Sequence, residues 1–276
     1  MRSLLSVGQF VCRGVFVSTG VAPILPQSHC MSVARTIEAS KHPPGPLTRD
    51  RRPAHIPEVV DTPPRTRAWN SVVAVLFLVV AMWAGYTAIG PPPVAIVGGS
   101  GLVAFVIWQR SYLRRPVDPS VILPLFLLTV AALDVHMAEE YLGRFGPAMS
   151  RLFDISWTER SFLLIFAFVG PCLYALTAIG LYYRIPLAGF LAWFIFIGPG
   201  VAEFTHFIFP LLKPALDPTL PAAITATVSN GRLVADMPNY WIGATGRYYF
   251  PGLYTAALPM IPGIYAIIRL AGRRAS

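Results

Sequence analysis

The chain has 276 residues, 55% of them hydrophobic and only 13% charged, with a mean hydropathy of +0.58. Soluble domains carry about 25% charged residues, so this composition excludes an ordinary soluble fold and indicates an all-α, polytopic helical membrane protein. The net charge of +9 is accounted for by membrane orientation and contact with anionic lipid, so the bilayer is an expected partner and nucleic acid is not.

Residues 1–68 differ in kind from the rest and are expected to form a disordered Pro/Arg-rich tail. They hold nine Lys/Arg against four acids, with prolines concentrated from Pro43 to Pro64 and no sustained helical periodicity. An apolar run from Gly14 to Leu25 is similar to a signal-peptide core or presequence, but Arg13 and Pro23 break it and no small-x-small cleavage site follows. A true start at Met31 is an equal alternative. Cys12, Cys30 and Cys172 show neither paired nor metal-type spacing, which leaves the redox compartment unread.

The membrane domain is expected over 69–276. Taking roughly 20 apolar residues per crossing, six spans are predicted at about 70–90, 93–110, 119–142, 161–183, 187–212 and 250–271. Gly98, Gly99 and Gly101 weaken the second, and the Gly-Pro-Pro-Pro at 90–93 makes the first connection a tight hairpin. With the N-terminus inside, eleven Lys/Arg fall on the cytoplasmic side and six on the other. That asymmetry predicts a plasma (inner) membrane protein with both termini cytoplasmic.

Two spans carry ionisable clusters, at His136-Met-Ala-Glu139-Glu140 in the third and Glu203-Phe-Thr-His206 in the fifth. Each such group costs roughly 2.5–3.5 kcal/mol on insertion scales, so the clusters are expected to face one another or a polar cavity. In the predicted topology both spans run outward. At 1.5 Å per residue, His136 and Glu203 lie roughly 25 Å and 24 Å along them, at matching depth in the outer half. His136, Glu139 and Glu140 share one helix face, as do Glu203 and His206. Asp134 projects to the opposite side, where a polar contact with a neighbouring helix is expected.

Two imidazoles and three carboxylates suit a divalent zinc, iron or manganese ion. The predicted ligands are His136, Glu140, Glu203 and His206, with Glu139 or Glu140 as the base acting on a bound water. Di-metal bundles use Glu-x-x-His on each of two helices. Here only Glu203-x-x-His206 has that order, which favours one metal. A metal-free ion-pair network or proton path is the alternative. Tyr254 and Thr255 in the sixth span reach similar depth and are placed to support the site with hydroxyls. Gly198-Pro199-Gly200 is expected to weaken the fifth helix beside it.

The run His136-x-x-Glu139-Glu140-Tyr141 followed by Phe145 resembles the signature of the HXXEE family of integral membrane proteins. The likeness continues through Glu203–His206 and Tyr249-Phe250-Pro251-Gly252-Leu253-Tyr254-Thr255-Ala256 with Pro259. It covers roughly residues 120–268 and implies a helical membrane domain without assigning a substrate. The long N-terminus and the outer segment at about 213–248 depart from that pattern. Glu139-Glu140-x-x-x-Arg144 also resembles the first motif of CAAX prenyl endopeptidases and bacteriocin-processing proteases. Their next motif, Phe-x-x-x-His, fails here because Ala202 precedes His206 by four residues, and Arg144 reads simply as a snorkelling interfacial residue.

The sequence therefore points to an integral membrane enzyme, metal-dependent and hydrolytic or lipid-modifying, acting on a lipid or other membrane-embedded small molecule. A transporter or proton-coupled carrier using the same residues as a relay, and an intramembrane CAAX-type protease, are the competing expectations.

Overall fold

Proline opens most of the long helices. Pro64, Pro92, Pro119 and Pro186 stand in first turns, where the missing N–H has no partner to lose and the fixed φ suits the helix. The computed structural model describes residues 61–221 and 227–271. It contains α1 (Pro64–Ile89), α2 (Pro92–Arg110) and α3 (Pro119–Leu142), then α4 (Phe145–Phe153). Next come α5 (Glu159–Leu163), a π-helical turn (Leu164–Val169) and α6 (Gly170–Tyr182), followed by α7 (Pro186–Val201). After α7 come 3-10 turns at Ala202–Phe207 and Phe209–Leu211, a hairpin of β1 (Thr227–Ser229) and β2 (Arg232–Val234), α8 (Ile242–Thr245) and α9 (Ala257–Ala271).

Among the described residues, five segments are long and apolar enough to cross a membrane: α1, α2, α3, the continuous Glu159–Tyr182 and Pro186–Leu211. The all-α polytopic architecture expected from composition is the one observed. α1 begins ahead of the boundary at residue 69 that composition indicates, because Pro64 starts a helix without needing its N–H. Residues 1–60, with the presequence-like run, lie outside the described residues, as do Arg273 and Arg274.

The sixth predicted span is shorter than its apolar run. Residues 251–256 form turns, and α9 has 15 residues. Pro251-Gly252 stops the helix there, since Gly252 sits at φ 89°, a conformation incompatible with a right-handed helix.

α7 is the central helix. In the most apolar stretch of Pro186–Leu211, which α7 begins, 56% of residues are buried, against 11% in that of Glu159–Tyr182, which lies at the periphery. Phe190, Trp193 and Phe196 of α7 pack with Trp108 of α2, Phe126 of α3 and Ala266 of α9 in one core. Where α7 crosses α9 the backbones nearly touch: a Cβ on Gly263 would stand 2.7 Å from the Gly200 Cα. Small residues at such crossings are the usual means of close helix approach in lipid. Gly263→Val is therefore expected to push α9 off α7 and lower the melting temperature, as read by thermal unfolding in detergent.

At the end of the bundle away from the clusters, the Trp108 indole donates to the Pro186 carbonyl at 2.8 Å, and Asp118 caps α3 by accepting from the Ser120 N–H at 2.9 Å. The other end carries a cap built from α4, the hairpin and the loops of residues 212–221 and 235–249. Arg151, 1% exposed, donates to the carbonyls of Met237, Asp217 and Pro221 at 3.0, 2.9 and 3.2 Å, tying α4 to the long outer segment. Arg151→Met leaves those acceptors without their donor and is expected to destabilise the cap by on the order of 3 kcal/mol, visible as faster proteolysis between residues 213 and 248.

Arg144 does not snorkel. It adopts φ 63° between α3 and α4 and pairs with Glu159 and Asp236, each at 2.7 Å. Partial burial opposes its charge, but the two carboxylates outweigh burial and raise its pKa.

Candidate metal centre

His136 follows Pro119 by seventeen residues, and Glu203 follows Pro186 by the same number. Since α3 and α7 run in parallel, equal lengths of helix bring the two clusters to one level, as the sequence predicts. The path along the fifth span is not uniformly α-helical. Pro199 lies inside α7, and the chain tightens to a 3-10 helix from Ala202 to Phe207. With 3.0 residues per turn, Glu203 and His206 become eclipsed rather than about 60° apart. His206 Nε2 thus stands 2.9 Å from Glu203 Oε2.

Four side chains meet. His136 Nε2 lies 3.1 Å from Glu203 Oε2 and 3.7 Å from Glu140 Oε1, while His206 Nε2 lies 3.2 Å from Glu140 Oε1. One ligand atom from each of the four falls within 4.8 Å of every other. The imidazoles cross edge to face at 87°. His136, Glu140 and His206 are buried, and Glu203 keeps 13% of its side chain exposed.

The far side of each imidazole decides what the near side can do. His206 Nδ1 is 2.7 Å from the Pro251 carbonyl, which only accepts, so Nδ1 carries the hydrogen. The Thr255 hydroxyl donates to Glu139 Oε2 at 2.6 Å, and its oxygen accepts from His136 Nδ1–H at 3.0 Å. With Nδ1 carrying the hydrogen, a neutral ring at either position presents a bare Nε2 lone pair to carboxylate oxygens at hydrogen-bonding distance. Lone pairs facing one another repel, so a cation or a proton must lie between them.

The donors fit a divalent ion. Ligands about 2.0–2.1 Å from a tetrahedral zinc stand about 3.3 Å apart, close to the four separations above. Two carboxylates balance the charge of one divalent cation, and the nitrogen and oxygen donors, without thiolate, are compatible with zinc, iron or manganese. The site residues His136, Glu140, Glu203 and His206 are thus brought together as the sequence predicts.

Glu139 departs from the role of free base. It accepts from the Thr255 N–H at 2.8 Å, the Thr255 hydroxyl at 2.6 Å, and the Tyr254 N–H and Tyr249 hydroxyl at 3.3 Å each. On an α-helix it lies about 100° from Glu140, which is enough to turn it onto the 249–255 turns while Glu140 reaches the histidines. Burial and the adjacent Glu139 carboxylate push the Tyr249 phenol up, so it remains a donor. Tyr254 likewise serves through its backbone; its side chain is 76% exposed. Second-sphere partners of this kind typically tune metal affinity 10–100-fold. Glu139→Ala is accordingly expected to weaken metal binding by roughly that factor without abolishing it, as measured by competition with a chromophoric chelator.

Gly252, Pro251 and Gly143 are site residues that spacing did not reveal. A Cβ on Gly252 would stand 2.6 Å from His206 Cε1 and 2.7 Å from His136 Cε1, and one on Gly143 would stand 2.7 Å from Pro251 Cβ. The Pro-Gly pair at the head of an apolar run was the available signal, since it marks a turn where a helix would otherwise begin. Phe145, Phe209 and Phe250 wall His206 at ring separations of 5.3, 5.6 and 6.4 Å, lowering the local dielectric and strengthening each electrostatic contact.

Fold and site define a polytopic α-helical membrane protein with a buried two-histidine, two-glutamate cluster compatible with metal binding. Compared with family models, curated proteins and solved structures, the chain matches none of them.

Proposed function

We propose that the protein is an integral membrane enzyme, a member of the HXXEE family, that holds one divalent metal between His136, Glu140, Glu203 and His206 and acts on a lipid or membrane-embedded substrate. The observation that carries this reading is the convergence of the four side chains: both Nδ1 atoms are engaged by Thr255 and Pro251, and both Nε2 atoms face the Glu140 and Glu203 carboxylates. A bound divalent ion supplies Lewis acidity and lowers the pKa of a coordinated water. Glu203, the only partly exposed member, is the carboxylate that an incoming water or substrate meets, while Glu140 and the aromatic wall hold the histidines in place. We assign the site to the outer leaflet of the plasma membrane, with both termini cytoplasmic.

Elemental analysis of protein purified without chelators tests the reading. The expected result is about one zinc, iron or manganese per chain in the wild type and none in His136→Ala. Equal, substoichiometric metal in both proteins rejects it.

The same contacts admit a second reading. Protons placed between the Nε2 atoms and the carboxylates also satisfy them, as in a proton-coupled carrier. That protein contains no stoichiometric metal and supports pH-driven flux in liposomes that Glu203→Gln abolishes.

A further inference from the structure

The cap contains a cleft of about 360 Å³ lined by Asn239, Tyr240, Thr245, Arg247 and Tyr249. That volume falls in the range of small-ligand sites, roughly 300–1,000 Å³. Bonds to other parts of the chain hold its walls. Tyr240 donates to the Gly143 carbonyl at 2.8 Å, and the buried Asn239 accepts from the Trp241 N–H at 3.1 Å. The Thr245 hydroxyl accepts from the Arg247 N–H at 3.2 Å, fixing a turn in which Gly246 has φ 65°. The Tyr240 and Tyr249 rings meet edge to face with centroids 5.4 Å apart. Such a cleft is formed before any ligand arrives.

Its charge is uncompensated. Three other arginines at this end of the bundle are committed: Arg144 to Glu159 and Asp236, Arg151 to three carbonyls, and Arg232 to the Thr87 and Ala88 carbonyls at 2.9 and 3.0 Å. Among the described residues the Arg247 guanidinium makes no hydrogen bond or ion pair, and no carboxylate lines the cleft. Glu139 stands behind Tyr249 but already accepts from four donors.

Depth indicates what the cleft meets. Tyr249 donates to Glu139 at 3.3 Å, and Glu139 lies twenty residues past Pro119, about 30 Å along α3. With Pro119 at one face of a hydrocarbon core about 30 Å thick, the cleft is level with the headgroups at the other. Phosphate is the common anion there, and a planar guanidinium matches two phosphate oxygens at once.

We propose that this cleft binds a phosphate group, presented by a phospholipid head or by a soluble phosphate ester, with Arg247 as its bidentate partner. The cleft reaches the metal centre through the bonds of Tyr249 to Glu139, Glu139 to Thr255 and Thr255 to His136. Within the enzyme proposed above, and resting on that reading, the cleft holds a phosphate-bearing substrate by its head beside the histidines. Phosphate binding itself uses none of the four metal ligands.

Saturation binding to full-length protein in maltoside detergent tests the cleft, with radiolabelled phosphatidylglycerol, glycerol phosphate and inorganic phosphate as separate probes. Saturable binding of at least one is expected, and dioleoylglycerol, which lacks the phosphate, is not expected to compete. Arg247→Gln is expected to weaken binding at least about tenfold, the loss of a charge-assisted hydrogen bond. Arg247→Lys keeps the charge without the fork and should recover only part of the affinity. Arg160→Gln, at an exposed arginine of α5 outside the cleft, should bind as the wild type does. Tighter binding of phosphatidylglycerol than of the two soluble probes supports a lipid head as the ligand, and the reverse order supports a soluble ester. No saturable binding of any probe, or equal affinity in wild type and Arg247→Gln, overturns the proposal. Competition by dioleoylglycerol overturns it by showing that acyl chains carry the contact, and an equal loss in Arg160→Gln does so by showing general attraction to a basic surface. Elemental analysis of the same preparations separates failure of the cleft from failure of the metal reading.

Discussion

Gly252→Ala is expected to abolish metal binding while altering no ligand. A Cβ at this position meets Cε1 of both imidazoles at 2.6 and 2.7 Å and Nδ1 of His206 at 2.7 Å. Real Cβ atoms do not approach so closely, so either the 251–256 turns lift away or the rings rotate. Lifting the turns breaks the Pro251 carbonyl contact to His206 and draws Thr255 from His136, releasing both tautomers. Rotation moves Nε2 off the carboxylates. The left-handed φ of 89° adds about 1–2 kcal/mol for any residue with a Cβ, and overpacking adds about 1–3 kcal/mol. The checks are metal stoichiometry and thermal unfolding in detergent. Wild-type metal content in this variant would show that the turn over the imidazoles has no part in the site.

The second large effect concerns charge. Glu203→Gln removes one of two carboxylates facing the histidines and with it the charge balance of a divalent ion. Metal loss is the expected outcome, and it is distinguishable from simple destabilisation by linkage. A ligand that binds only the folded state at about a thousand times its Kd stabilises by about 4 kcal/mol. Adding a chelator should therefore lower the melting temperature of the wild type, while Glu203→Gln, already without metal, melts lower and does not respond. A wild-type melting temperature indifferent to chelator, together with a lowered one in the variant, assigns the cluster to a proton network instead.

Much of the site was legible because its ligands stand on regular helices. His136 and Glu140 are four residues apart on α3 and share a face by helical geometry alone. Their level relative to Glu203 followed from helix rise and a parallel topology, and α3 has the bounds that its apolar run suggests. Less legible was the division of labour between Glu139 and Glu140. Adjacent carboxylates differ by about 100° around the axis, and only the position of the 249–255 turns shows which direction is the interior. The resemblance to CAAX-type proteases likewise depended on Arg144, whose guanidinium the structure engages with Glu159 and Asp236 in the cap.

Hydropathy, helix period and the position of prolines are local properties, and they sufficed for the all-α membrane class, the main spans and four ligand candidates. The tertiary structure alone decided that Pro251-Gly252 folds back over both imidazoles and that Thr255 links Glu139 to His136. Each of these depends on a contact between segments tens of residues apart or more, where backbone approach is limited by the absence of a Cβ rather than by any periodic signal. The chemistry of the two histidines is set by such contacts, because the partner of Nδ1 determines what Nε2 is free to bind.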